Sequence, residues 1–217
     1  MMLLSHLLLP LLAFVPIDEV RAIEAHLLIH NEKAALARAR RCLIDYPDEP
    51  LSYELLVRSL AACQRDGEMV KLWVEFAAQF PDEAQQQEIL EKMCWGILRK
   101  GRESHQSATR LLALIGAALT QDRYAVEFIN EGLHSSNLQM RALSVQLGAL
   151  FRDHELREGI EELLSNEQNA DVRVEVMRAC GVLKDPKLVP VLMELLRSKR
   201  GGAAEKREAI RAVLEIA

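Results

Sequence analysis

Apolar residues recur along most of the chain at spacings of three and four, which gather them on one face of an α-helix. Tyr53, Leu56 and Leu60 make one such stripe, and Leu72, Trp73, Phe76, Ala77 and Phe80 make the next. Turn signals separate the stripes. Tyr46-Pro47-Asp48 returns 34 residues later as Phe80-Pro81-Asp82, and Gly67 returns at the same shift as Gly101. Leu55, Leu56 and Leu60 map by that shift onto Ile89, Leu90 and Cys94. Proline cannot donate a backbone hydrogen bond and disfavours helix in the residue before it, so the second helix of each pair is predicted to end near Tyr46 and Phe80. Each helix pair has a stripe too broad to bury internally, which predicts that pair stacks on pair.

Beyond Thr120 the pattern changes. Phe128-Ile129 with Leu133, then Ile160 with Leu163-Leu164, then Leu192 with Leu195-Leu196 predict three short amphipathic helices. A polar turn follows each, at Ser135 to Asn137, Asn166 to Asp171 and Lys199 to Ala204, and a second helix carries Arg141, Arg173 and Arg207 near its start. Those arginines stand 32 and 34 residues apart. The expected organisation is an apolar segment over 1–17, one set of repeats over 18–119 and another over 120–217.

A period of 34 built from two helices and a proline-marked turn resembles the tetratricopeptide repeat, over about residues 18–116. The small positions of its second helix fall on Ala35, Ala39 and Cys42, with Pro47 as the terminal proline; Trp73 and Phe76 are bulkier counterparts. The third unit departs, with Ser107 and Arg110 in place of Trp73 and Phe76 and Ile115 in place of the proline. Residues 122–217 resemble HEAT repeats of the short type found in phycobilisome-lyase-like proteins, carried by Val172-Arg173 through Ala179-Cys180-Gly181-Val182-Leu183 and Lys184-Asp185-Pro186. The resemblance implies a ladder of arginines and turn acids, here Arg173 with Asp171 and Arg141 with Asn137. It implies no lyase activity, since fold and function separate freely. The expected fold class is all-α: a right-handed α–α superhelix of stacked antiparallel helix pairs.

Composition agrees with helices. Glycine and proline are few, at 10 and 7 in 217 residues, and aromatics are 5%. The net charge of −5 is spread evenly: residues 1–120 carry 13 basic and 16 acidic side chains, and residues 121–217 carry 14 and 16. That balance excludes a general nucleic-acid binder. Cys42, Cys63, Cys94 and Cys180 form no Cys-x-x-Cys pair and read as small buried hydrophobes in a reducing, cytoplasmic setting. Met1 to Val15 is almost wholly apolar but too short to span a bilayer. It reads as a first helix, an export signal or a membrane-surface anchor, and export is the alternative localisation.

Reactive motifs are few. His26 and His30 share a helix face without the glutamate of a zinc-hydrolase motif, and neither a nucleophile elbow nor a phosphate loop is present. No catalytic residue, metal site or cofactor is therefore expected. Arg197, Lys199, Arg200, Lys206 and Arg207 form the one basic concentration. In a tetratricopeptide stack the first helix of each pair lines the concave surface. There Glu54 above Glu88 and Arg58 above Lys92 would form acidic and basic stripes, and Trp95 beside Gly96 an aromatic anchor with open space. The expected function is a non-catalytic adaptor that binds another protein or peptide on that surface. The alternatives are an enzyme-associated subunit or chaperone-like lyase handling a cofactor or modified protein, and an envelope-associated assembly factor. Ile210, Val213, Leu214 and Ile216 leave an apolar stripe on the last helix, where self-association is expected.

Overall fold

The structure, a computed structural model, describes residues 14–198 and 201–217. Most of the apolar N-terminal segment, together with Lys199 and Arg200 of the basic cluster, lies outside the described residues. The helices are α1 (Ile17–Leu28), α2 (Glu32–Asp45), α3 (Pro50–Ala62), α4 (Asp66–Gln79), a short α5 (Pro81–Ala84), α6 (Gln87–Arg102) and α7 (Ser107–Thr120). They continue as α8 (Arg123–Leu133), α9 (Leu138–Gly148), α10 (His154–Asn166) and α11 (Ala170–Leu183). A 3-10 turn (Pro186–Leu188), α12 (Val189–Arg197) and α13 (Ala203–Ile216) follow. The described residues contain no strand, and the all-α class of stacked helix pairs is what the periodicity predicts. No helix among them is long and apolar enough to cross a membrane. Contacts divide the chain into two compact units at Lys100/Gly101.

In the first unit α1 packs on α2 and α3, α3 packs on α2 and α4, and α4 packs on α5. α2 ends at Asp45 and α4 at Gln79, one residue before Tyr46 and Phe80, where the prolines require it. Ala35, Ala39 and Cys42 are buried on α2, and their small side chains let neighbouring helices approach. Phe76, fully buried on α4, stacks on the Tyr53 ring of α3 with centroids 5.3 Å apart and planes within 7°. Phe80 tilts against both rings at 5.8 and 6.0 Å. The Tyr53 hydroxyl donates to Gln79 Oε1 at 2.8 Å, and Trp73 Nε1 donates to the Ala84 carbonyl at 3.0 Å, tying α4 to α5.

In the second unit α7, α9, α11 and α13 pack in succession as one layer. α8 and α10 pack on each other and on α9 and α11, while α12 covers α13. The helices of the first layer share a register. Leu114, Val145 and Met177 each hold the eighth helical position and are buried, and Ala118, Ala149 and Gly181, four residues on, are buried too. At Gly181 a Cβ would lie 3.3 Å from Ala212 Cα and would collide with Glu215 Oε2, so glycine is what lets α13 seat on α11.

The two units start their helices differently. No side-chain hydrogen bond caps the N-terminus of α1, α2, α3 or α4. In contrast, Asp122, Asn137, Asp153 and Asn169 each accept backbone N–H groups at the starts of α8, α9, α10 and α11. Such a cap contributes about 1 kcal/mol. The starts of α8 to α11 are thus fixed locally, whereas those of α1 to α4, like those of α7, α12 and α13, depend on tertiary packing.

The aromatic cluster is the densest point of the first unit. Phe76→Ala removes a ring with no exposed surface, and we expect it to lower unfolding free energy by about 3–5 kcal/mol in urea titration. A loss below about 1 kcal/mol would show that the cluster does not anchor α3 to α4.

Candidate functional site

A polar depression lies in the second unit, where the α8–α9 and α10–α11 turns stand side by side. It is a depression of about 420 Å³ whose lining includes His134, Ser135, Ser136, Gly159, Glu162, Asn166 and Gln168. Arg141 and Glu167 also line it. Gly159 brings α8 and α10 together: a Cβ there would stand 2.8 Å from Leu133 Cδ1.

One ion pair holds the two turns. Arg141 donates from Nε and Nη2 to the two oxygens of Glu167 at 2.8 and 3.1 Å, and from Nη1 to the Ser135 carbonyl at 2.7 Å. The Glu167 side chain is only 5% exposed. Its carboxylate also accepts the Asn169 N–H at 2.8 Å. Hydrogen bonding from Arg141 outweighs burial and holds the carboxyl below its ordinary value of 4.5. The arrangement repeats on the next pair. Arg173 donates to Glu205 Oε1 at 2.7 and 3.2 Å and to the Gln168 carbonyl at 2.6 Å. The arginine ladder is therefore present, with different acids from those expected. Each carboxylate comes from the following helix pair, while Asn137 caps α9 through Gln139 N and Met140 N, and Asp171 N–H donates to the cap Asn169.

On the rim, His134 Nε2 faces Glu162 Oε2 at 3.9 Å, with both side chains mostly exposed. His134 Nδ1 lies 2.9 Å from the Asn130 carbonyl and donates its proton there. Nε2 is the ring nitrogen turned towards Glu162. The depression thus pairs a charge-compensated carboxylate at its floor with a solvated one at its rim, and hydroxyl and amide groups lie between. Glu162 reads in sequence as one of two adjacent exposed acids. Glu167 carries no local signal at all, and only the 32-residue spacing of Arg141 and Arg173 points towards it.

The residues expected to bind a partner lie in the first unit and are only partly assembled. Arg58 bonds Glu54 Oε1 at 3.2 Å on its own helix and approaches Glu24 of α1 at 3.6 Å, so its charge is already shared by two carboxylates. Glu88 and Lys92 are exposed on α6. Trp95 departs from the expectation of an accessible anchor: it is 7% exposed. Gly96 beside it has no open space either, since a Cβ there would stand 2.8 Å from the Ala61 carbonyl of α3. The close seating of α6 on α3 is what hides both.

His30 is exposed and faces Glu32 at 3.7 Å. Among the described residues no three His, Cys, Asp or Glu side chains are placed to hold a metal ion. Cys42 and Cys180 are buried as expected, with the Cys180 thiol pushed up to about 12 by burial; Cys94 instead is exposed on α6.

No family model and no curated protein matches the chain. Among solved structures it is similar to that of human deoxyhypusine hydroxylase in complex with glycerol. That chain is 16% identical with a TM-score of 0.48, and the match covers 94% of this chain and 85% of the other. The protein named there is an enzyme. That finding stands against the expectations of a non-catalytic adaptor and of a chain that is not an enzyme, and neither is carried further. The likeness brings no residue role to this chain.

Because Glu167 titrates lower folded than unfolded, the stability it contributes is present above the ordinary glutamate range. It is lost as pH falls through the folded value. Glu167→Gln should destabilise the protein at pH 7 by about 1.5–3 kcal/mol, the loss of a charge-assisted hydrogen bond to the part-buried Arg141. It should also flatten the fall of stability below pH 4.5 in acid-titrated urea unfolding. An unchanged acid limb in the variant would remove Glu167 from this role.

Proposed function

We propose that this chain is an enzyme-associated subunit that holds an amine-bearing side chain of a modified protein in the depression between α8 and α10. The observation that carries the reading is the solvated Glu162 carboxylate above the Arg141–Glu167 floor. Arg141 satisfies Glu167, so Glu162 is the acid left to meet an incoming cation. An ammonium has three donors and no acceptor. Glu162, the hydroxyls of Ser135 and Ser136 and the amide oxygens of Asn166 and Gln168 supply acceptors for them. A depression of about 420 Å³ is within the usual range for a small ligand or one long side chain. A side chain held at two helix turns leaves its backbone outside, where an associated enzyme can reach it.

The repeat types enter the same proposal. The 34-residue period and the helix ends before Pro47 and Pro81 support a tetratricopeptide-like first half. The arginine ladder supports HEAT-like units in the second.

The reading is tested by titrating the 15N-labelled chain with the peptide Gly-Gly-Lys-Gly-Gly and its Nε-methylated form. Amide shifts are expected at Ser135, Ser136, Glu162 and Gln168. Loss of a charge-assisted hydrogen bond in Glu162→Gln should weaken binding about tenfold with the remaining spectrum unchanged. Shifts confined to other surfaces, or equal affinity in the variant, would defeat it.

A further inference from the structure

The helices α7, α9, α11 and α13 begin at Ser107, Leu138, Ala170 and Ala203, which puts their positions in a common count. The ninth residue of one helix grips the sixth of the next. Gln146 of α9 donates to Glu175 of α11 at 2.8 Å, and Arg178 of α11 reaches Glu208 of α13 at 3.4 Å. The fourth position holds Arg110 in α7, Arg141 in α9 and Arg173 in α11. The turns before these helices share a count as well. Ser104, Ser135 and Glu167 each stand two residues before the N-cap. Their side chains accept the N–H of Gln106, Asn137 and Asn169 at 3.2, 3.2 and 2.8 Å. Arg141 finds its acid in the turn of the following pair, at Glu167, and Arg173 finds Glu205 one pair further on. By the same step, the counterpart of Glu167 for Arg110 is Ser135. The starts of α7 and α9 do lie side by side, with Asn137 Nδ2 donating to Ser107 Oγ at 3.4 Å. A serine brings no charge, and among the described residues no carboxylate pairs with Arg110. The ladder thus has one rung whose acid is missing.

Arg110 lines a narrow cleft of the second unit together with Arg102, Leu114, Phe128, Glu131 and Met140. Arg102 lies over the Phe128 ring, 4.7 Å from its centroid, and pairs with Glu131. Two guanidiniums and one carboxylate leave one positive charge in the cleft. We propose that this cleft binds the carboxylate of another molecule, gripped by Arg110 as Glu167 is gripped by Arg141, with Arg102 as the second cation. Shape and charge set the class of ligand. The free space is about 10 Å³, near the least that admits a water, so only the tip of a slim group enters. A carboxylate is planar and matches the guanidinium fork with two parallel hydrogen bonds, whereas a phosphate is bulkier. A short methylene stem suits the apolar Leu114 and Met140. A glutamate side chain and a small dicarboxylic acid share that chemistry. The amine-binding depression one pair further on is a separate site, because Glu167 there already closes the rung on Arg141.

The probes are glutarate and the peptide Ala-Glu-Ala, acetylated and amidated at its ends, each titrated into the 15N-labelled whole chain at constant ionic strength. Saturable shifts are expected at the amides of Arg110, Glu131 and Met140. Binding of the peptide assigns the carboxylate to a protein side chain, and binding of glutarate alone assigns it to a free acid. Arg110→Gln should weaken binding at least about tenfold. Arg110→Lys keeps the charge and loses the fork, so it should weaken binding as well. It carries the test if Arg110→Gln disturbs the fold. Ser135→Glu supplies the missing acid from within the chain. It should abolish binding and raise the urea midpoint, a gain that Arg110→Gln in the same chain cancels. No saturable shift with either probe overturns the proposal. So does unchanged affinity in the Arg110 variants, or a Ser135→Glu gain that survives Arg110→Gln. Inorganic phosphate binding as tightly as glutarate would mark a plain basic patch and equally overturn it.

Discussion

Each helix pair in this chain exposes more apolar surface than it can cover, and burial by the next pair is what makes every other feature stable. Burying one large aliphatic or aromatic side chain contributes about 1.5–3 kcal/mol, more than any single exposed ion pair here could add. The buried stripe of α3 needs α4, and that of α11 needs α13. Polar contacts then choose among the registers that burial allows. Arg141 and Arg173 do this most strongly, because each binds a carboxylate that is almost fully enclosed and only one register leaves neither charge unpaired.

The two units reach the same architecture by different means. The first relies on the interlocked rings of Tyr53, Phe76 and Phe80, a contact between helices adjacent in sequence. The second has fewer rings and instead fixes its turns with capping Asp and Asn and its pairs with arginine. That difference explains where a polar depression can form. Turns already held by caps and an ion pair can line a depression with polar groups and still keep their shape.

Much of the fold could be read in the sequence because its determinants are local. Pro47 and Pro81 act on the residue before them, and the spacing of Leu72, Trp73 and Phe76 defines a helical face without reference to any other segment. The site was less visible because its determinants are not local. Arg141 finds its acid 26 residues away and Arg173 finds its own 32 residues away, so nearby Asn137 and Asp171 seemed the natural partners. Trp95 misled for a related reason. Its helix and spacing are compatible with an open face, and only the close approach of Gly96 to Ala61, thirty-five positions earlier in the chain, hides it.

The helices of the second unit's long layer start at Ser107, Leu138, Ala170 and Ala203, so successive intervals grow from 31 to 32 to 33 residues. The extra residues do not disturb the grip of Gln146 on Glu175 or of Arg178 on Glu208, which keep the same helical positions. Length is therefore absorbed outside the gripping segments. One residue added inside α11, ahead of Arg178, would instead rotate everything after it by about 100° and swing the guanidinium away from Glu208. A residue added or removed at these bends leaves the grips in place, while the spans between them have a fixed count.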